Sequence, residues 1–468
     1  MMKKRHIIGA IALTLGMMLT SCNDFLDITP TGKVIAQTGK EYRALLTYEY
    51  KYFPEDRGLA TLRSDEMTLD KTTTTDDQAS YLDIWAWNDL NQQNTTSAFG
   101  WRRYYHAIYI ANYVMENKDK ITEATSAEVN QMVGEAYMMR AYCHFLLANL
   151  YAEPYKTHCE KAGVQCAPAT TRGIPLQLKA NVNDVLSCSS LETVYQQVLA
   201  DIDEAKKYLN VETWEEGYNY RFNTLSADAL KARVCLYMGN WQGALDAAKV
   251  VIEKHGDLED LTKSSSKLPN NYQSVENIVA LERVMTSQYA SIGKPNNDLL
   301  AKYRSGDQRK SKYFKQVTAS SANLLKGGKD ELRCSFRSGE AYLIAAEASA
   351  ELAGEQGDAS NAQEHLNDAR TYLKTLMAKR YTSSRYAIYA AELDNMDQAA
   401  LLQVIYAERE RELAFEGHRW FDLRRLDQPA MSKTFMENTY TLEQGDSRYT
   451  LRFPTEAVEA NPGIENWN

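Results

Sequence analysis

Charge is concentrated in residues 401–425, where Glu408, Arg409, Glu410, Arg411, Glu412, Glu416, His418, Arg419, Asp422, Arg424 and Arg425 crowd together. Acids and bases at this density supply either general acid–base chemistry or a buried ion network. The spacing favours the network. Leu402, Ile405, Arg409, Leu413 and Glu416 fall on one helical stripe, and Gly417 is a natural terminator. Arg409 and Glu416 are therefore expected inside the protein, where a charge is tolerated only when paired and hydrogen-bonded. Arg419, Asp422, Arg424 and Arg425 can supply partners, while Trp420, Phe421 and Leu423 anchor the turn. No nucleophile stands at an activating distance from a base, and His418 has no metal-ligand partner at helical spacing. No catalytic residue, metal site or cofactor is expected.

A second kind of chemistry is offered by residues 81–88, Tyr-Leu-Asp-Ile-Trp-Ala-Trp-Asn, which follow the polar run Lys71-Thr72-Thr73-Thr74-Thr75-Asp76-Asp77. A pyranose has a face of C–H groups and a rim of hydroxyls. An aromatic ring stacks on the face, and Asp, Asn or Arg side chains exchange hydrogen bonds with the rim. Tyr81, Trp85, Trp87 and Asn88, in a loop-like context, are thus candidate sugar ligands; the alternative is that both tryptophans plug the core beneath the loop. Glycoside hydrolysis needs two carboxylates facing across a cleft, and no segment advertises such a pair.

The N-terminus reads as an address. Lys3, Lys4 and Arg5 precede an apolar run over residues 7–19 that is short for a membrane span, and Leu19-Thr20-Ser21-Cys22 has the form of a bacterial lipobox. Cleavage would leave Cys22 to carry acyl chains, a stable anchor that does not span the membrane. Residues 1–21 are then a signal peptide and 22–40 a lipidated cysteine and tether. The formal charge of −9 includes the three basic leader residues, so the processed chain is more acidic still, and no basic stripe offers itself to nucleic acid. Tyrosines number 30 against 11 phenylalanines, a surplus that suits a wet binding surface or helix packing. Cys143 and Cys235 lie in apolar helical patterns and are expected as free thiols. Cys159 and Cys166 flank a loop and could pair or stay free, and none of the cysteines forms a Cys-x-x-Cys pair.

The elements that must position these residues are mostly helical. Helices are expected over 41–52, 101–118, 127–151 and 191–209. A helical hairpin is expected over 225–255, with the small residues Ala232 and Ala244 permitting close approach, and a second over 339–352 and 362–379. The helical rhythm fades over 57–97 and 271–330. There a short strand at 277–281 and a polar loop at 284–297 are expected.

Several of these stretches are similar to one family. Residues 408–425, Glu-Arg-Glu-Arg-Glu-Leu-Ala-Phe-Glu-Gly-His-Arg-Trp-Phe-Asp-Leu-Arg-Arg, closely resemble the C-terminal signature of the SusD/RagB family of surface nutrient-binding lipoproteins. The lipobox, residues 135–142, 225–241, 305–309 and 337–347 and the closing Arg452-Phe453-Pro454 agree. The resemblance implies a mostly α SusD-like fold, one domain over 41–468, with tetratricopeptide-like hairpins supporting an irregular, loop-rich binding half. It implies a lipoprotein at the outer membrane, facing the cell exterior, that binds oligosaccharide or polysaccharide, or peptide in RagB-like members. Such a protein would act as a lid on a SusC-like TonB-dependent barrel. By region, the family's ligand positions fall on Asp65, Tyr81, Trp85, Trp87, Asn88 and Tyr289; their spacing departs from the starch-binding archetype, so starch itself is not implied.

Overall fold

Local sequence fixes the helix ends. The computed structural model describes residues 36–69, 76–89, 98–156, 160–161, 164–165, 167–318, 321–354 and 359–465. The leader, Cys22, Cys159 and Cys166 lie outside them. Helix α1 (Gly39–Lys51) starts on a reciprocal capping box between Thr38 and Glu41. After α2 (Asp56–Arg63), β1 (Met67–Leu69), α3 (Asp76–Trp85) and α4 (Trp101–Glu116) comes the long α5 (Ser126–Tyr151), opened by a second box between Thr125 and Glu128. The pairs β2 (Glu160–Lys161) with β3 (Val164–Gln165) and β4 (Arg172–Pro175) with β5 (Cys188–Ser190) precede α6 (Leu191–Tyr208).

Helix α7 (Thr224–Met238) ends at Gly239, whose φ of +69° suits glycine, and α8 (Trp241–His255) follows at once. The irregular stretch holds β6 (Asn277–Val279), α9 (Ser287–Ile292), β7 (Gly293–Pro295), α10 (Asn297–Lys302), α11 (Arg309–Tyr313), β8 (Phe314–Thr318) and β9 (Ser321–Leu324). Strand β10 (Phe336–Arg337) pairs with β6 and leads into α12 (Ser338–Leu352), α13 (Ala359–Ala378), α14 (Ser383–Asp394), α15 (Gln398–Glu412) and α16 (Arg419–Arg425). The hairpin β11 (Met431–Phe435) and β12 (Asn438–Leu442) and a short α17 (Thr455–Ala460) complete the chain.

The helices stack in sequence. α4 packs on α5, α5 on α6, α7 on α8, α8 on α12, and α12 on both α13 and α15. Ala232 and Ala244 are both buried, as close packing of α7 on α8 requires. The principal apolar core spans Ala36 to Ile464, and a second cluster lies among α12 to α15. Cys143 and Cys235 are buried free thiols.

Two expectations need correction. The stretch from 57 to 97 is not devoid of helix: α2 and α3 lie there, and Tyr81 and Trp85 are on α3 rather than in a loop. Tyr289 likewise sits on α9, capped by the Thr286 hydroxyl, within what was expected as a loop. Helices of six to ten residues are too short for periodicity to separate them from turns.

Residues 401–425 form the expected ion network, with every charge in a defined place. Glu412 is fully buried and meets three guanidinium groups, at 2.9 Å (Arg337), 2.8 Å (Arg380) and 2.9 Å (Arg309). Burial by itself raises its carboxyl; Arg380, Arg337 and Arg309 outweigh that and hold it well below the usual carboxylate range. Arg337 also meets Glu276 at 2.7 Å and Glu416 at 2.8 Å, and Lys326 pairs with Glu416. Arg409 and Arg425 share Asp422. His418 is buried, and burial with Arg57 close by depresses its pKa far below the ordinary histidine value. Since a guanidinium only donates, His418 Nε2 accepts from Arg57 Nη2 at 3.0 Å.

Glu66 differs in lacking a cation of its own. Its Oε1 accepts from the Phe415 backbone N–H at 3.2 Å, while Oε2 is buried with no hydrogen-bond partner among the described residues. Burial, then the neighbouring Asp65 charge, pushes its pKa up to about 8. Asp56 is pushed up to about 7, again first by burial.

Two predictions follow from these charges. Glu412→Ala leaves three buried guanidinium groups short of a partner and should destabilise the fold by ~3–5 kcal/mol in urea denaturation. Glu66 binds its proton more tightly folded than unfolded, so its contribution is complete below the ordinary carboxylate pKa and is lost as pH rises towards about 8. The denaturation midpoint should therefore fall less between pH ~5 and ~9 in Glu66→Gln than in the parent; equal falls would show that Glu66 does not hold this proton.

Candidate functional site

Four strands from distant parts of the chain surround one polar cleft. β1 pairs antiparallel with β7, placing Thr68 opposite Lys294 and Leu69 opposite Gly293. Gly293 lets the two strands sit closely, because a Cβ would lie 2.2 Å from the Met67 sulfur and the methionine side chain would have to shift. β9 packs beside β7, and β11 approaches β1 from the other side. Between them lies a cleft of about 520 Å³ whose lining includes Thr68, Lys294, Asn297, Asp298, Ser321 and Ser432, together with Trp85. Asn297, Asp298 and Ser432 are solvent-exposed, and Asn296 is held by donating to the Asp65 carbonyl at 3.2 Å while accepting from the Asp298 N–H. Lys294 is held by Asn323 at 2.6 Å.

Trp85 reaches this cleft as part of its wall. Its residue is 1% exposed, its indole N–H donates to the Met67 carbonyl at 3.0 Å, and Phe435 and Tyr440 pack edge-on against it. Lys433 is also a lining residue, its ammonium 5.1 Å from the Trp85 ring and 4.2 Å from the Trp87 ring. It donates to the carbonyls of Leu62 and Trp85 at 2.9 and 3.1 Å. Burial, and then the charge of Arg63, hold its pKa well below the ordinary lysine value.

The remaining expected ligands are placed elsewhere. Trp87 is 1% exposed, has a φ of +56°, and gives its indole N–H to the Arg63 carbonyl at 2.8 Å. Both tryptophans therefore plug the core, and neither offers an open face for stacking. The reason is tertiary: α2 and β1 present carbonyls that the indole N–H groups satisfy, and Lys433, distant in sequence, lies over the rings. Asn88 is exposed but donates to Asp83 at 2.8 Å and does not line the cleft. Tyr81 is half-buried, edge-on to Tyr289 with centroids 5.6 Å apart, and Tyr289 is buried against α2 at Gly58. Asp65 is forked onto Arg419 by two contacts of 2.7 Å. Burial raises its carboxyl, and the Arg419 hydrogen bonds and charge more than reverse this.

The cleft residues on β7, β9 and β11 escaped sequence reading. Alternation in Met431–Phe435 and Asn438–Leu442 signals a hairpin, but nothing local says that it closes against β1. Chemically, the cleft offers hydroxyls, amides, the lysines Lys294 and Lys433 and one carboxylate, Asp298, among its described lining. That set can exchange several hydrogen bonds with a polyhydroxylated ligand.

Comparison with known proteins places this architecture. Residues 24–236 match a family model described as starch-binding, associating with the outer membrane, and residues 237–466 match the SusD family model. SusD-like protein P38 of Formosa agariphila is 25% identical over 258 residues, 53% of this chain and 46% of that one, so the match spans about half of the relative. A SusD superfamily crystal structure from Bacteroides thetaiotaomicron has a TM-score of 0.72 at 20% identity, covering 92% of this chain and 99% of that one. A laminarin-binding SusD-like protein has a TM-score of 0.63 at 17% identity, with 92% and 99% coverage. Among the described residues no helix is long and apolar enough to cross a membrane. With adjoining models accounting for residues 24–466 and the same mostly helical fold recurring over nearly the whole chain, the protein belongs to the SusD family.

Proposed function

We propose that this protein is a lipoprotein anchored through Cys22 in the outer membrane, facing outward. In this reading it captures oligosaccharide or polysaccharide and passes it to a SusC-like TonB-dependent barrel. The observation that carries the reading is the cleft between β1, β7, β9 and β11, whose described lining is rich in hydrogen-bonding side chains. Family membership and the relative named for laminarin binding support the ligand class. The ligand is held without chemical change. Hydrogen bonds to exposed Asn297, Asp298 and Ser432 give modest affinity per sugar, and a chain-like ligand gains by occupying neighbouring subsites.

The test is affinity electrophoresis on plant, fungal and host polysaccharides, with an Asn297→Ala/Asp298→Ala variant beside the parent. The parent is expected to be retarded on at least one polymer. The variant, losing two exposed ligand contacts of ~1 kcal/mol each, should bind about tenfold or more weakly. Equal retardation overturns the cleft as the site, and no retardation of the parent on any polymer overturns polysaccharide capture. Anchoring is tested apart: Cys22→Ser should move the protein from the outer-membrane fraction to the soluble fraction, and unchanged fractionation overturns the anchor.

A further inference from the structure

A second groove, sharing no lining residue with the cleft, opens where the end of α1 meets the turns around residues 216–220 and 330–333. It encloses about 520 Å³. Three tyrosines shape it. Tyr50 is fixed from behind, its hydroxyl donating to Glu135 at 2.9 Å and accepting from the Phe222 N–H at 3.3 Å. Tyr220 packs against Tyr50 at 66° with centroids 5.4 Å apart and remains partly exposed. Tyr272 donates its hydroxyl to Glu216 at 3.0 Å, and Glu216 also receives the Gln273 amide at 2.6 Å. The rings are thus positioned before any ligand arrives, which lowers the entropic cost of binding. Ala280 and Leu281 are buried along the bottom.

The rim carries both signs of charge. Lys51 and Arg333 are donors, and Glu216 and Asp330 are acceptors. Arg333 is oriented by donating its Nε to the Asp330 carbonyl at 3.0 Å. Opposed carboxylates disfavour a simple anion. An extended peptide would need open backbone partners, and several backbone groups here are already paired. The Ala280 N–H donates to the Asn219 carbonyl at 2.9 Å, and the Tyr272 N–H donates to the Glu331 carbonyl at 2.8 Å. The Asn219 side chain takes the Tyr272 carbonyl at 2.8 Å. A sugar ring fits this arrangement better: its C–H face meets the tyrosines, and each hydroxyl both donates and accepts at the rim.

We infer that this tyrosine groove is a second saccharide-binding site, separate from the cleft. The inference rests on the carbohydrate-binding reading above and extends it to a molecule with two sugar-binding surfaces. One polymer chain, or two neighbouring chains, would then be held at two points, and capture of long polymer would exceed that of short oligomers by effective concentration.

The test is ¹⁹F NMR of the full chain labelled with 3-fluorotyrosine, the Tyr220 and Tyr272 signals being assigned with Tyr220→Phe and Tyr272→Phe. Hexasaccharides of α-1,4-glucan, β-1,3-glucan, β-1,4-xylan and β-1,4-mannan serve as ligands. Both signals should shift with at least one of them, in the parent and equally in the Asn297→Ala/Asp298→Ala variant. Tyr220→Ala should weaken the response at Tyr272 about tenfold. Static Tyr220 and Tyr272 signals with every hexasaccharide overturn the groove. If retardation on polysaccharide gels then still depends on the cleft, the glycan-binding reading stands without it; if retardation is absent as well, both fall.

Discussion

The fold depends on a lattice of buried charge centred on Glu412. One carboxylate at the end of α15 is shared by arginines from α11, from β10 and from the turn after α13, and those arginines reach on to Asp307, Glu276, Glu408 and Glu416. A buried charge without partners is costly, whereas a complete set of fork-shaped contacts fixes geometry closely. The lattice therefore does for the irregular segments what apolar stripes do for the helices. It ties residues 271–337, which have little continuous secondary structure, to the C-terminal helices.

That tie positions the cleft. Arg57 on α2 reaches Glu282 and the backbone at Glu416 and Gly417, and Arg419 on α16 holds Asp65 just before β1. Through β1 the same constraint sets β7, and with it the polar side of the cleft. Asp65 is thus an orienting residue in this structure, its carboxylate spent on Arg419, while its backbone carbonyl steers Asn296. The two tryptophans of residues 81–88 act similarly, as satisfied core groups beneath the cleft.

Tyrosine is used in two ways. Tyr142 and Tyr104 are buried, Tyr142 donating to Glu282 and stacking on Phe53. Tyr220 and Tyr272 keep ring surface open to solvent while their neighbours hold them still. The excess of tyrosine over phenylalanine suits both demands: a ring that packs like a hydrocarbon, and a hydroxyl able to hydrogen-bond where a partner is in reach.

Sequence alone determined the long helices, the hairpin joined at Gly239-Asn240, and the interior position of Arg409 and Glu416, because capping residues, small residues and apolar stripes act within a few turns of chain. It also carried the family, through the charged run ending at Arg425. Only the tertiary structure decided which aromatic rings face solvent. For Trp85 and Trp87 the sequence left both readings open, sugar ligand or core plug, because a tryptophan between polar residues has the same local signature whether its N–H meets a sugar or a backbone carbonyl. Their burial was settled by Lys433, more than 300 residues away in sequence. The cleft itself is made of strands only three to five residues long, each too short to carry a pattern, and it exists because long-range pairing and buried ion pairs bring them together.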